Sequence, residues 1–165
     1  MSDPSRLLAV VPDPASPELA RTLDLAGYTW KAVNSTSAAS DAEPDGGWAG
    51  IVIDATDDLD SAWSFLRTAR KQHSVPTPAL VLLSGGQLGE LEHRDDLYDD
   101  FCLAPFHPSE LEARLQHLLS ADIAWKEAQL EHERAQAVAA QGMAIDVLPY
   151  ETAATKAEID YQKAR

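Results

Sequence analysis

Ala49-Gly50-Ile51-Val52-Ile53-Asp54-Ala55-Thr56-Asp57-Asp58 is the stretch that decides the fold of this 165-residue chain. Its centre, Ile51–Ile53, is a β-branched run without a polar residue, and it ends abruptly at Asp54 in an aspartate-rich segment. A continuous apolar run with such a boundary is typical of a strand buried on both faces, as in a parallel sheet. Open α/β sheets carry their functional residues at the carboxyl ends of the strands, so Asp54 is the first candidate for a functional residue.

Four more apolar segments flank this one along the chain, and segments with helical periodicity separate them. The five predicted strands are Arg6–Val11, Tyr28–Val33, Ala49–Asp54, Ala79–Ser84 and Asp99–Leu103. Helices are expected over 16–26, 59–73 and 87–96 and from Pro108 onward, and residues 34–47 are expected to form a loop with at most a weak helix. Strands that alternate with helices in this way predict a doubly wound parallel α/β fold.

The last third of the chain has a different character. No glycine or proline occurs from Ser109 to Gln141, so one helix of about 50 Å could run through the whole segment at ~1.5 Å per residue. Residues 142–165 leave two alternatives open. Met143–Leu148 and Glu158–Tyr161 alternate like strands, whereas the segment after Pro149 has good helix propensity. We therefore expect a folded α/β domain in residues 1–120, a linker helix over 121–141, and a helical or partly stranded extension over 142–165.

Composition excludes several classes of function. The formal net charge is −14, which repels a phosphate backbone and makes these residues by themselves a poor nucleic-acid binder. No apolar run reaches membrane-spanning length and the first residues are not basic, so we expect a cytoplasmic protein without a membrane partner. Cys102 is the only cysteine and the histidines lack metal-ligand spacing, so neither a disulfide nor a thiol metal cluster is expected.

The segment Asp99-Asp100-Phe101-Cys102-Leu103-Ala104-Pro105-Phe106-His107-Pro108-Ser109-Glu110-Leu111 resembles the Asp-Asp-Tyr-Leu-x-Lys-Pro-Phe-x-Pro-x-Glu-Leu signature of OmpR/PhoB-type response regulators. Together with the first, third and fourth predicted strands, it makes residues 5–120 similar to a bacterial receiver domain. The resemblance implies a flavodoxin-like sheet with strand order 2-1-3-4-5. It also implies that Asp54 corresponds to the phosphate acceptor, and that Ser84 and Phe101 correspond to the two switch residues.

The departures from the receiver pattern all fall on the phosphorylation site. Receivers carry two adjacent acids after the first strand, which hold Mg²⁺ with the acceptor aspartate, but Val11 and Pro12 stand there and offer no side-chain oxygen. Asp13 lies one position too far along. The lysine that neutralises the phosphoryl charge is replaced by Ala104. Because phosphoryl transfer depends on such positioning and charge neutralisation, we interpret the domain as a pseudo-receiver that is not an enzyme and uses no metal or cofactor.

Asp54 is then expected to be structural, hydrogen-bonded to Thr56 or Ser84. The resemblance implies a phosphorylation-independent regulatory and dimerisation domain of a bacterial DNA-binding transcription regulator, similar to nitrogen regulators of the GlnR type. Strand-like segments after residue 142 look like the small sheet that opens an OmpR-type winged helix, so DNA would be bound only through an output domain not complete in this chain. The alternatives are a conventional two-component receiver phosphorylated on Asp54 and a stand-alone pseudo-receiver interaction module. A flavodoxin-like ligand binder is disfavoured, since no glycine-rich loop follows the first strand.

The resemblance also implies a symmetric homodimer through the fourth helix, fifth strand and fifth helix of the receiver. Arg114 falls where OmpR/PhoB-type receivers place an arginine that pairs with the strand aspartate across the two-fold axis. The residues predicted to form this interface are Leu91, Asp99, Asp100, Glu110, Ala113 and Arg114.

Overall fold

The computed structural model describes residues 6–72, 76–141 and 147–164, and the chain divides into two compact units, Met1–Gln116 and His117–Arg165. The first unit contains strands β1 to β5, helices α1 to α3, one 3-10 helix and the beginning of α4. The strands are β1 Leu7–Val11, β2 Thr29–Ala32, β3 Gly50–Asp54, β4 Ala79–Ser84 and β5 Asp100–Ala104. The helices are α1 Pro17–Leu25, α2 Thr36–Asp41, α3 Leu59–Gln72, a 3-10 helix Gly85–Leu91, α4 Pro108–Ala140 and α5 Leu148–Lys163.

The five strands form one parallel sheet in the order β2-β1-β3-β4-β5, which confirms the predicted fold and strand order. β3 is the middle strand, and its residues pair with β1 on one side and β4 on the other, Val52 with Val10 and Ile53 with Val81. All five strands run in the same direction, so their carboxyl ends lie at one edge of the sheet. This edge brings Val11, Asp54 and Ser84 to neighbouring positions.

The core of the first unit lies on both faces of the sheet, because alternate residues of a strand point to opposite sides. On one face the sheet packs under α2 and α3, where Trp63 and Leu66 are 2% and 1% exposed. On the other face Leu19 and Leu23 of α1 and Leu111 of α4 are fully buried. The three central strands are buried on both faces, and this burial explains why their sequences are continuous apolar runs.

Of two short helical segments, the structure agrees with the sequence prediction for one and differs for the other. The weak helix allowed in residues 34–47 is the short α2, and the Ser35 hydroxyl caps it by accepting a hydrogen bond from the Ala38 N–H at 3.1 Å. The α-helix predicted over 87–96 is wrong, since the structure has a 3-10 helix over Gly85–Leu91. Three glycines within these seven residues carry a low helix propensity, which the predicted spacing of Leu88 and Leu91 ignored.

The long helix predicted from Ser109 to Gln141 is confirmed as α4, and its residues from His117 onward belong to the second unit. The other helix of that unit, α5, shows that the helical alternative is correct over Leu148–Lys163. The strand expected over Glu158–Tyr161 does not form, while Met143–Ile145 and Asp146 lie outside the described residues.

Within the second unit, one contact explains why the helix prevails over the strand. The Trp125 ring of α4 stacks on the Tyr161 ring with centroids 5.4 Å apart, and the Trp125 indole N–H donates to the Glu158 carboxylate. Helical spacing puts Ala154 and Tyr161, which are 5% and 6% exposed, on one face of α5, whereas a strand would separate them. Among the described residues, no helix is long and apolar enough to cross a membrane.

Candidate functional site

The carboxyl edge of the sheet contains a cleft with a volume of about 350 Å³. The ends of β1 and β3, the loops that follow them and the first turns of α3 form its walls. The residues that line the cleft are Val11, Pro12, Pro14, Ser16, Asn34, Ile53, Asp54, Asp57, Asp58, Ser61, Ala62 and Phe65. The predicted acceptor position therefore lies in a cleft whose lining is half apolar and half polar.

Asp54 is partly buried at the last position of β3, and Thr56 satisfies one of its oxygens. The Thr56 hydroxyl donates to Asp54 Oδ1 at 2.6 Å, and the Thr56 N–H donates to the same oxygen at 3.1 Å. This local pattern is a turn in which an aspartate side chain holds the backbone two residues further on. The prediction that Asp54 binds Thr56 is confirmed, while the alternative partner, Ser84, is bound elsewhere.

Ser84, at the end of β4, is held by a residue that the sequence reasoning missed. Gln87 Oε1 accepts from both the Ser84 hydroxyl at 2.9 Å and the Ser84 N–H at 2.8 Å. The Gln87 amide nitrogen donates to the carbonyls of Ala55 at 3.1 Å and Thr56 at 3.3 Å, directly after Asp54. Gln87 thus joins the loop after β4 to the loop after β3. The Ser-x-x-Gln spacing, a known helix-start pattern, could have revealed the bonds between Gln87 and Ser84, but not those to Ala55 and Thr56.

The positions that would hold a metal ion do not provide oxygen ligands. Val11 is 8% exposed and belongs to the core cluster, and Pro12 follows it at the surface. Asp13 is exposed, and its backbone N–H donates to the Asn34 side-chain oxygen at 2.8 Å. Mg²⁺ requires a near-octahedral set of oxygen atoms, which an apolar side chain and a proline ring cannot supply. In the described part of the chain, no group of three or more histidine, cysteine or acidic residues is placed to hold a metal ion.

The remaining acids of the cleft have structural partners or lie at its rim. The carboxylate of Asp58 accepts from the N–H of Ser61 at 3.0 Å and from its hydroxyl at 2.7 Å, so Asp58 caps the start of α3. The hydroxyl and then the N–H of Ser61 lower the pKa of Asp58. The residues present at this edge therefore do not fit a magnesium ion.

The fifth strand carries the second predicted switch residue, Phe101, and the position of the missing lysine, Ala104. Ala104, in the place of the lysine, precedes Pro105 and contributes only a methyl group, so it adds no positive charge to the edge. Phe101 is partly buried, and the Arg114 guanidinium lies 5.8 Å from the centre of its ring. That arginine fixes the outer side of the Phe101 ring by a cation–π contact.

Arg114 is paired within its own chain. Its guanidinium donates to Asp100 at 3.0 Å and to Glu110 at 3.1 Å. Burial alone would lower the pKa of Arg114, but the hydrogen bonds and charges of Glu110 and Asp100 outweigh it and raise the pKa above its ordinary value. Ala113 is exposed on the same helix. These four residues lie on the surface as the predicted interface requires.

Two residues of the predicted interface, Leu91 and Asp99, are buried inside the first unit and do not lie on its surface. Leu91 is 9% exposed and belongs to the core cluster. Asp99 is 2% exposed and accepts from the Arg70 guanidinium at 2.6 Å and from the Ala79 N–H at 2.8 Å. Leu103, at 36% exposure on β5, is a surface apolar residue that the sequence reasoning did not include.

No family model matches the sequence, and no curated protein matches it either. Solved structures do match its fold. A putative response regulator from Chloroflexus aurantiacus is 22% identical with a TM-score of 0.57, covering 70% of this chain and 98% of that one. The receiver domain of a sensor histidine kinase from Pseudomonas aeruginosa, with magnesium coordinated in its active-site cleft, is 21% identical with a TM-score of 0.56 and covers the same shares.

A third match extends further along the sequence. Full-length FixJ from B. japonicum is 17% identical with a TM-score of 0.55, covering 98% of this chain and 91% of that one. At these identities the comparisons show the fold, which is that of response-regulator receiver domains. The function must be argued from the residues at the carboxyl edge of the sheet.

Proposed function

We propose that this chain is the regulatory and dimerisation part of a bacterial transcription regulator of the response-regulator class, and that it works without a phosphoryl group on Asp54. The observation that carries the proposal is the set of neighbours around Asp54. Val11 and Pro12 stand at the places of the metal-binding acids, and Ala104 stands at the place of the charge-neutralising lysine.

Electrostatic repulsion is the physical reason why a phosphoryl group on Asp54 is unfavourable. A phosphoryl group on Asp54 would carry about two negative charges at the rim of a cleft that already contains Asp57 and Asp58. Receivers offset such charge with a divalent ion and a lysine, and the residues that would supply them are absent from the matching positions. Without these positive charges, both the formation and the persistence of an acyl phosphate are unfavourable.

The experiment that tests phosphate independence is a titration with Mg²⁺ and beryllofluoride, followed through the NMR signals of Asp54 and Thr56. No saturable shift is expected up to millimolar concentrations. A matched gain-of-function variant carries Pro12→Asp and Ala104→Lys, which restore one acid and the lysine at positions outside the core. This variant should bind more tightly than the natural chain. Saturable binding by the natural chain that is lost in Asp54→Asn would instead establish a conventional receiver.

A surface on β5 and α4 supports the dimer. This surface, formed by Asp100, Leu103, Glu110, Ala113 and Arg114, combines an apolar residue with charges of both signs. A two-fold axis makes each contact twice. Exposed ion pairs contribute only ~0.2–1 kcal/mol each, so they select partner and register, while affinity must come from apolar area such as Leu103 at ~25 cal/mol per Å².

Because Arg114 pairs with Asp100 inside one chain, a single charge reversal cannot distinguish intrachain from interchain pairing. Two variants used together can distinguish them. One carries Arg114→Asp and has two acids at these positions, and the other carries Asp100→Arg and has two arginines. Each variant alone should associate less than the natural chain, since like charges meet across the axis.

Mixing these two variants tests whether Arg114 and Asp100 pair across the two-fold axis. If the pairs form across the two-fold axis, the mixture makes a heterodimer with both ion pairs restored, and sedimentation should show more dimer than in either variant alone. Leu103→Ala is the control for affinity, and it should weaken the dimer without a preference for partners. A mixture that shows no heterodimer preference, or a natural chain that is monomeric at micromolar concentration, would remove support for this surface.

The DNA-binding role rests on the resemblance of residues 99–111 to the OmpR/PhoB-type signature. The extension does not add to it, because Leu148–Lys163 is helical where the strands of a winged helix were expected. We propose that DNA is bound through a separate output domain. At a formal net charge of −14, the chain alone should not retard double-stranded DNA in a gel at micromolar concentration.

A further inference from the structure

Gln87 makes more hydrogen bonds between separate loops than the other side chains of the carboxyl edge. Its carboxamide oxygen accepts two bonds from Ser84, and its nitrogen donates to the carbonyls of Ala55 and Thr56, 32 and 31 residues earlier in the chain. These groups are partly buried. One neutral side chain therefore joins the end of β4 to the turn that Asp54 organises.

The beginning of the segment after β4 has little packing to fix it. Gly85 and Gly86 directly follow Ser84, and glycine loses more backbone freedom on ordering than any other residue. A Cβ at either glycine would meet no atom within 4 Å, so close packing does not hold these two residues. Leu91 lies in the core at the end of the 3-10 helix, and Gln87 supplies side-chain hydrogen bonds at its beginning.

We propose that Gln87 is an internal latch, which holds the loop after β4 against the turn after β3 in one arrangement without any ligand or modification. The carboxamide is suited to this, because it offers an acceptor to the Ser84 donors and a donor to the carbonyls on the other side. The hydrogen bonds of the latch do not depend on the proposed function, but its functional consequence rests on that proposal. If the domain works without a phosphoryl group, Gln87 is the residue that fixes the switch serine in place of one.

Two substitutions separate the two halves of the latch. Gln87→Glu keeps an oxygen acceptor for Ser84 but loses the donor to Ala55 and Thr56. Gln87→Leu keeps a similar shape and loses both. The matched control is Leu88→Ala, which changes the neighbouring exposed residue of the same 3-10 helix. Each variant is made in the full chain.

The readout is NMR: hydrogen exchange follows the Ser84 amide, which donates to Gln87, and ¹³C chemical shifts follow the Ala55 and Thr56 carbonyls, which accept from Gln87. In Gln87→Leu, the Ser84 amide should exchange at least tenfold faster than in the natural chain, and both carbonyl shifts should move. In Gln87→Glu, the Ser84 amide should stay protected while both carbonyl shifts move. Leu88→Ala should change neither. Unaltered exchange of the amides of Asp100 and Cys102 verifies that the sheet remains folded.

The latch is overturned if the Ala55 and Thr56 carbonyl shifts stay unchanged in Gln87→Leu, because the glutamine would then only cap the 3-10 helix. It is also overturned if Leu88→Ala moves these shifts as strongly as Gln87→Leu does. These signals are recorded without beryllofluoride and do not depend on whether the chain dimerises. Failure of the proposed function would appear in the titration and sedimentation experiments, with this NMR result unaffected.

Discussion

Asp99 and Asp100 are adjacent in the sequence but lie in opposite environments, and this contrast gives the sharpest prediction. The Asp99 side chain is 0% exposed, and the Arg70 side chain that contacts it at 2.6 Å is 12% exposed. The Asp100 side chain is 20% exposed, and its partner Arg114 is 35% exposed. Replacing each aspartate by alanine should therefore have very different effects on the free energy of unfolding.

The magnitude follows from what each substitution leaves behind. Asp99→Ala leaves the Arg70 guanidinium without its carboxylate and the Ala79 N–H, on a residue with 0% exposure, without its acceptor. Breaking a buried pair by removing one partner costs ~3–5 kcal/mol, because a charge stays behind with no compensation. Asp100→Ala removes a surface pair and the acceptor of the Phe101 N–H at 2.8 Å, so the cost should be ~0.5–2 kcal/mol, below that of Asp99→Ala.

Urea unfolding at pH 7, with the midpoint and the slope compared between variants, measures both costs. Asp99→Asn is the intermediate case, since it keeps an oxygen for the Ala79 N–H but loses the charge and exchanges the other oxygen for an NH₂ donor. Its cost should fall between the costs of the two alanine variants. A cost below ~1 kcal/mol for Asp99→Ala would refute the reasoning. So would a loss of self-association by Asp99→Ala at unchanged stability, since that would place Asp99 at the surface where the sequence reasoning first put it.

Three further predictions concern other parts of the chain. Asp54→Ala should cost ~1–3 kcal/mol in urea unfolding, because the partly buried donors of Thr56 lose their acceptor, and it should leave sedimentation unchanged. Burial, followed by the charge of Glu110, raises the pKa of the Cys102 thiol. Since the unfolded thiol deprotonates first, stability should fall as the pH rises past the ordinary value of ~8.5. Cys102→Ala should flatten that fall. Trp125→Ala should reduce the helical circular dichroism signal, because α5 loses its stacking partner.

The strands were predictable because a strand that is buried on both faces must consist almost entirely of apolar residues. β3 and β4 are uninterrupted apolar runs, and each predicted strand overlaps an observed one with ends that differ by at most two residues. The same argument explains the failure over residues 87–96. There the apolar residues are sparse and the three glycines matter more than their spacing, so the hydrophobic pattern no longer determines the structure.

The site was predictable where local chemistry decides it and unpredictable where distant residues meet. Thr56 lies two residues from Asp54, so their hydrogen bonds could be expected from a short-range turn pattern. Gln87 reaches carbonyls more than thirty residues away, and no single-sequence pattern reveals such a contact. The burial of Asp99 could not be predicted for a related reason. Its partner Arg70 lies 29 residues earlier, in α3, and only the packing of α3 against the sheet brings them together.

The substitution at Val11 has a thermodynamic consequence beyond the loss of a metal ligand. Two acids at positions 11 and 12 would face Asp54, Asp57 and Asp58 across the cleft, and like charges at close range oppose folding unless a cation binds between them. Val11 instead lies in the core and adds buried apolar area. An edge with Val11 in the place of an acid is expected to gain no stability from a divalent ion, since a ligand stabilises a protein only through preferential binding to its folded state. Millimolar Mg²⁺ should therefore leave the melting temperature unchanged, beyond the general salt effect that Na⁺ at equal ionic strength also produces. A melting temperature that rises with Mg²⁺ but not with Na⁺ would contradict this reasoning.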